Sequence, residues 1–208
     1  MFKSFYVPTA LLCILLSLFF SPSSYAQKGW LEVELGLKLE DTKKAYIGHG
    51  FADLPTEDQI SPKDAVSMKA DDGGIETRIH LFFTPKSRKV TKCLVVFPSS
   101  SSFDSIYSEF NSIVTRLTKK YGNPIQSKKV FASPYTEETV TENLKGLADN
   151  RIILNFKWAM RGGEIVFTFK GKKLEENQYA GNLLLEYSSI SALNILEKEN
   201  QEIFNKKF

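Results

Sequence analysis

The stretch RIILNFKWAMRGGEIVFTFKG, residues 151–171, constrains the fold more than any other part of the chain. Ile152, Leu154, Phe156 and Trp158 recur at every second position, with Asn155 and Lys157 between them. Ile165, Phe167 and Phe169 repeat the pattern against Thr168 and Lys170. Period-two alternation puts one set of side chains on each face of a strand. The paired glycines between the runs, Gly162 and Gly163, predict a tight two-residue hairpin turn. One apolar and one polar face belong to an antiparallel sheet covered on one side.

Something must cover that apolar face, and the sequence supplies helices. From Phe103 to Tyr121 the apolar positions fall three and four apart, which traces one face of a helix about five turns long. Ser102 is the best N-cap, and Asp104 suits the positive end of the helix dipole. The stretch TKKYGNP, residues 118–124, then reads as a helix end. Lys119 and Lys120 meet the last carbonyls, Gly122 accepts a conformation other residues resist, and Pro124 blocks continuation. Residues 39–47 predict a shorter helix closed by Gly48 or Gly50, with Phe51 returning to the core. Residues 189–204 predict a last one.

Strands follow each helix. IETRIHLFF and VTKCLVVF flank the turn TPKSRK, and NLLLEYSS comes after the glycine hairpin. Residues 53–72 and 131–150 are irregular, and each is expected to hold a further edge strand. The order helix, strands, helix, strands, helix gives a two-layer α+β fold, mainly antiparallel, with helices on one face. It divides into sub-units at about 30–98 and 99–208, with no repeat in the sequence itself.

The first 26 residues carry an address. Lys3, the apolar run TALLCILLSLFF and the small-residue pattern at Ser24 and Ala26 form an export signal, with cleavage expected after Ala26. A lipoprotein anchor at Cys13 would need a small residue where Leu12 stands. The expected product is residues 27–208, a periplasmic or secreted chain with no later membrane span. Export would leave Cys93 as the one cysteine, so no internal disulfide supports the fold. A chain of this length buries roughly 70% of the surface it would expose unfolded.

Loss of the signal removes one lysine and no acid, leaving a net charge near +2. The lysines are interleaved with acids, as in LEKENQE, which argues against nucleic acid as a partner. No cofactor or metal is implied. The two histidines have no ligand spacing, and His49 reads as a polar helix end. The acidic groups at 56–58, 70–72 and 136–142 read as solvated loops without calcium-loop spacing. No G-x-S-x-G occurs, and nothing selects a carboxylate pair.

One catalytic constellation is available. If TPKSRK turns symmetrically about Lys86 and Ser87, cross-strand partners have residue numbers summing to 173, and His80 stands opposite Cys93. Their β-carbons would be about 5 Å apart, and a thiol beside an imidazole can become a nucleophile. A shift of one residue instead pairs Leu81 with Cys93 and sends His80 to the other face. In that register Arg78, His80 and Phe82 share the open sheet face, with Lys157 on the matching face of the second hairpin and Arg161 near its turn. Arg and aromatic side chains are frequent anchors of protein contacts.

The segments GLKLEDTKKAYIGHGF, LFFTPKSRKVTKCLVVF, FNSIVTRLTKKYGNP and NFKWAMRGGEIVFTF together resemble small exported proteins of Gram-negative bacteria with beta-lactamase-inhibitor-protein-like folds. These are tandem helix-plus-hairpin units. The resemblance covers most of residues 27–208 but rests on caps, turns and strand patterns, so no functional residue is carried over. It implies a binding module for another protein, in the envelope or outside the cell. The alternative is a small hydrolase using Cys93 and His80 or a carboxylate pair.

Overall fold

The computed structural model describes residues 27–55, 58–59, 63–72, 75–137, 142–175 and 177–206. The expected export signal lies outside the described residues.

Two four-stranded meanders, each led by a helix, share one antiparallel sheet. The first follows α1 (Leu39–Gly48) and comprises β3 (Ala52–Asp53), β4 (Ala65–Asp72), β5 (Ile75–Phe83) and β6 (Val90–Val96). The second follows α2 (Phe103–Tyr121) and comprises β7 (Gln126–Phe131), β8 (Ile152–Met160), β9 (Gly163–Lys173) and β10 (Tyr179–Ser189). The strand order is β3-β4-β5-β6-β10-β9-β8-β7. The last strand of each meander therefore pairs with the last strand of the other, relating the halves by an approximate twofold through the sheet. A small clip, β1 (Gln27–Lys28) against β2 (Glu34–Leu35), precedes α1.

The helix ends behave as their residues dictate. Ser102 caps α2 by accepting the Ser105 N–H, and Gly122 ends it at φ +83°. At α1 the chain turns through Gly50, at φ +86°, and returns Phe51 to the core. Ile106, Phe110, Ile113 and Leu117 of α2 are buried, with Phe110 stacked on Phe167 at 4.9 Å between ring centres. Burying side chains of this size contributes about 1.5–3 kcal/mol each.

The glycine hairpin has the predicted faces but a different turn. Trp158 opposes Ile165, Phe156 opposes Phe167 and Leu154 opposes Phe169. The loop is Arg161-Gly162, with Gly162 at φ +81°, and Gly163 already opposes Met160 as a strand residue. The left-handed conformation is needed at the first glycine, so the second is free to pair.

Two irregular regions resolve unequally. Residues 53–72 contain the whole of β4, so Asp71 and Asp72 lie in a strand rather than a loop. The edge strand expected within 131–150 is instead β7, just before it, and the region holds a short helix, α3 (Asn143–Ala148). This helix lies directly on the backbone of β9. A Cβ at Gly171 would come within 2.6 Å of the Leu144 carbonyl oxygen.

The main apolar core lies between the sheet and α1, α2 and α3. The C-terminal helix α4 (Ile190–Asn205), capped by Ser189, places no side chain in it. Instead Glu199 anchors α4 to the β5–β6 turn, accepting the N–H groups of Lys86 at 2.7 Å and Ser87 at 3.1 Å.

Candidate functional site

The β5–β6 hairpin decides which side chains share a face, and it uses both registers. Next to the turn, Thr84 donates its N–H to the Lys89 carbonyl and Phe83 opposes Val90, so the numbers sum to 173. A bulge then inserts Thr91, whose hydroxyl donates to the Phe82 carbonyl at 3.1 Å. Beyond it Leu81 opposes Cys93 and His80 opposes Leu94. One extra residue reverses the facing of everything after it. Cys93 points into the core and His80 to the opposite face, so the thiol–imidazole pair is not formed.

Cys93 is fully buried, and its sulfur lies 3.2 Å from the Tyr46 hydroxyl, which also reaches the Trp30 carbonyl at 3.2 Å. Burial pushes the thiol up to about 12, against the smaller opposing effect of the Tyr46 hydrogen bond. A thiol held protonated in an apolar core is a packing group rather than a nucleophile.

His80 faces outward yet is largely covered. Its Nδ1 lies 2.8 Å from the Ser67 hydroxyl on the neighbouring strand β4. Burial, and then the charge of Arg78, lower its pKa to about 4, so the imidazole is neutral at ordinary pH. Ser67 is itself fully buried, and its backbone N–H donates to Gln59 Oε1 at 2.7 Å. Its hydroxyl is therefore withheld from a substrate in solution.

The outer face itself is a mosaic. Arg78 is exposed and Phe82 half-buried on β5. Lys157 shares this face on β8, and Arg161 is exposed at the β8–β9 turn. Four strand spacings separate β5 from β8, about 19 Å, so these residues do not form one patch. Between them lie Leu94 and Val96 of β6, Leu184 of β10 and Val166 of β9, all half-buried. Sequence reasoning missed this apolar strip because Leu94-Val95-Val96 and Leu183-Leu184-Leu185 are consecutive apolar runs that fall on both faces, which hides the alternation.

Charge on this face is largely compensated. Lys92 pairs with Glu186 at 3.1 Å, Lys157 with Glu164 at 2.7 Å, and Glu76 with both Arg78 at 2.5 Å and Lys69 at 3.1 Å. Of the basic residues expected here, Arg78 and Lys157 are each paired with a carboxylate beside the apolar strip. Beside Arg78 a cleft of about 590 Å³ opens at the end of the strip, between Glu76, Arg78 and Val96 on one side and Lys172 and Asn182 on the other.

His49 is exposed at the end of α1. Among the described residues no three His, Cys, Asp or Glu side chains are grouped to hold a metal ion. No described helix is long and apolar enough to cross a membrane. In comparisons with known proteins, no family model, no curated protein and no solved structure matches the chain.

Proposed function

We propose that the exported chain, residues 27–208, is a non-catalytic binding module that takes an envelope or extracellular protein on the outer face of its sheet. The observation that carries this reading is the half-buried strip of Leu94, Val96, Leu184 and Val166, crossed at Glu186 by an ion pair to Lys92, flanked by the Lys157–Glu164 pair and continuous with the Arg78 cleft. An apolar centre within a polar, charged rim is the anatomy of a protein interface. Arg78 and Phe82 supply an Arg and an aromatic at its edge, the residue types that most often anchor such contacts. The two groups weighed for nucleophilic chemistry are both disabled: Cys93 is sealed in the core, and His80, though on this face, is largely covered and tied to a buried serine.

The test is capture from an envelope extract of the producing cells on immobilised residues 27–208. Two folded controls are used, Arg78→Ala/Phe82→Ala and Leu184→Asp. A single stoichiometric protein is expected on the wild-type chain and on neither variant. Retention by all three would move the partner to another surface. Capture of nothing, together with hydrolysis of an ester or peptide panel, would replace the reading with an enzyme.

A further inference from the structure

The helix side of the sheet carries a second, smaller cavity of about 130 Å³, distinct from the outer face. Its floor is built by Ile113 and Leu117 of α2 with Leu185 and Tyr187 of β10, all at most 7% exposed. Its rim is built by the three less buried residues, Trp30, Phe97 and Arg116. Apolar cavities of about 150 Å³ hold a benzene ring. The size and the floor therefore suit a ring-sized apolar body.

The rim adds a charge requirement. Arg116 follows Ile113 by one helical turn, so its guanidinium stands over the same opening. It makes no ion pair among the described residues. The nearby carboxylate of Glu32 is engaged by Lys120. Trp30 meets Phe97 edge to face at 5.6 Å across the opening. It is held there by a turn in which Leu31 and Glu32 both adopt positive φ, at 56° and 62°. Tyr187 also lines the floor, and burial raises its pKa, so its hydroxyl stays protonated.

From these features we infer that the cavity is a binding site for a small carboxylate with a ring-sized apolar body, the ring seated on Leu117 and Leu185 and the carboxylate facing Arg116. The site is independent of the outer face, so it can hold or fail without affecting the protein-binding reading. A guanidinium above an apolar cup, with no ion pair among the described residues, favours anions over neutral isosteres.

Phenylacetate is the probe, titrated into residues 27–208 and followed by calorimetry and by fluorescence of Trp30. Saturable binding is expected, with benzyl alcohol and acetate each at least tenfold weaker. Arg116→Ala, at an exposed position that preserves the fold, is expected to weaken phenylacetate by at least tenfold. Arg116→Glu is expected to reverse the preference towards benzylamine. Absence of saturation to about 20 mM, affinities for acetate equal to those for phenylacetate, or an unchanged titration in Arg116→Ala would each overturn the site. Ile113→Trp, which fills the cavity, gives a second check, and binding that survives in a folded Ile113→Trp would place the probe elsewhere.

Discussion

The Cys93 sulfur lies 3.2 Å from the Tyr46 hydroxyl, on the face of the sheet opposite His80. The cysteine is thereby part of the core packing between α1 and β6, and its chemistry is governed by access. In the native protein its labelling by a thiol reagent at pH 8 is expected to run at least about a hundredfold slower than in denaturant. Cys93→Ala should cost about 1–2 kcal/mol in chemical denaturation, from a small cavity and a lost partner for Tyr46. Rapid native labelling would contradict the burial.

A titration separates His80 from an ordinary histidine. Its folded pKa of about 4 lies below the unfolded value near 6.5. The unfolded chain therefore binds a proton first as pH falls, and the contribution of His80 to stability is complete above about 6.5 and lost as pH falls through about 4. Histidine ring resonances followed by NMR should show this depressed midpoint for His80. Ser67→Ala should lower native stability, because Nδ1 loses its buried partner.

Glu199 gives a sharper test, because its carboxylate accepts two backbone N–H groups that join α4 to the β5–β6 turn. Glu199→Ala leaves the Lys86 and Ser87 amides without their acceptor and should cost about 1–3 kcal/mol. Faster hydrogen exchange is expected at those two amides and along α4. Burial raises the Glu199 pKa, but the hydrogen bonds from Ser87 and Lys86 outweigh it and leave it lowered. The anchoring is then complete above the unfolded value near 4.3 and weakens as pH falls through the lower folded one. Exchange in α4 that is insensitive to acid would show that the helix is held by other contacts.

Gly171→Ala tests the contact between α3 and β9. The added carbon would strike helix backbone, which cannot turn aside as a side chain would. A loss of about 3 kcal/mol or more is expected in thermal or urea unfolding, at the upper end for overpacking. Gly122→Ala, open to solvent but at φ +83°, should cost less.

These elements also mark where the sequence was readable. The long helix α2 was legible to its last residue because Ser102, Gly122 and an uninterrupted apolar stripe all agree. The second hairpin was legible because Asn155, Lys157 and Thr168 alternate with its buried apolar positions. Helix α3 was not, since six residues cannot show a period and its stability comes from lying on Gly171. The bulge at Thr91 was hidden for another reason. Both registers of TPKSRK bury a good apolar set, and only the packed hairpin chooses between them. The outer strip was invisible because β6 and β10, the two central strands, carry consecutive apolar residues, Leu94 to Val96 and Leu183 to Leu185, that fall on both faces.

That central seam also shapes how the chain must come together. Val95 of β6 stands opposite Leu185 of β10, about 90 residues later. Until residues 179–189 have been made, the first meander has no neighbour for its final strand, and a nascent or truncated chain presents β6 as a raw edge. Such an edge invites pairing with other chains, so handling before completion becomes a hazard. The two halves therefore mature together, each supplying the strand that protects the other from aggregation.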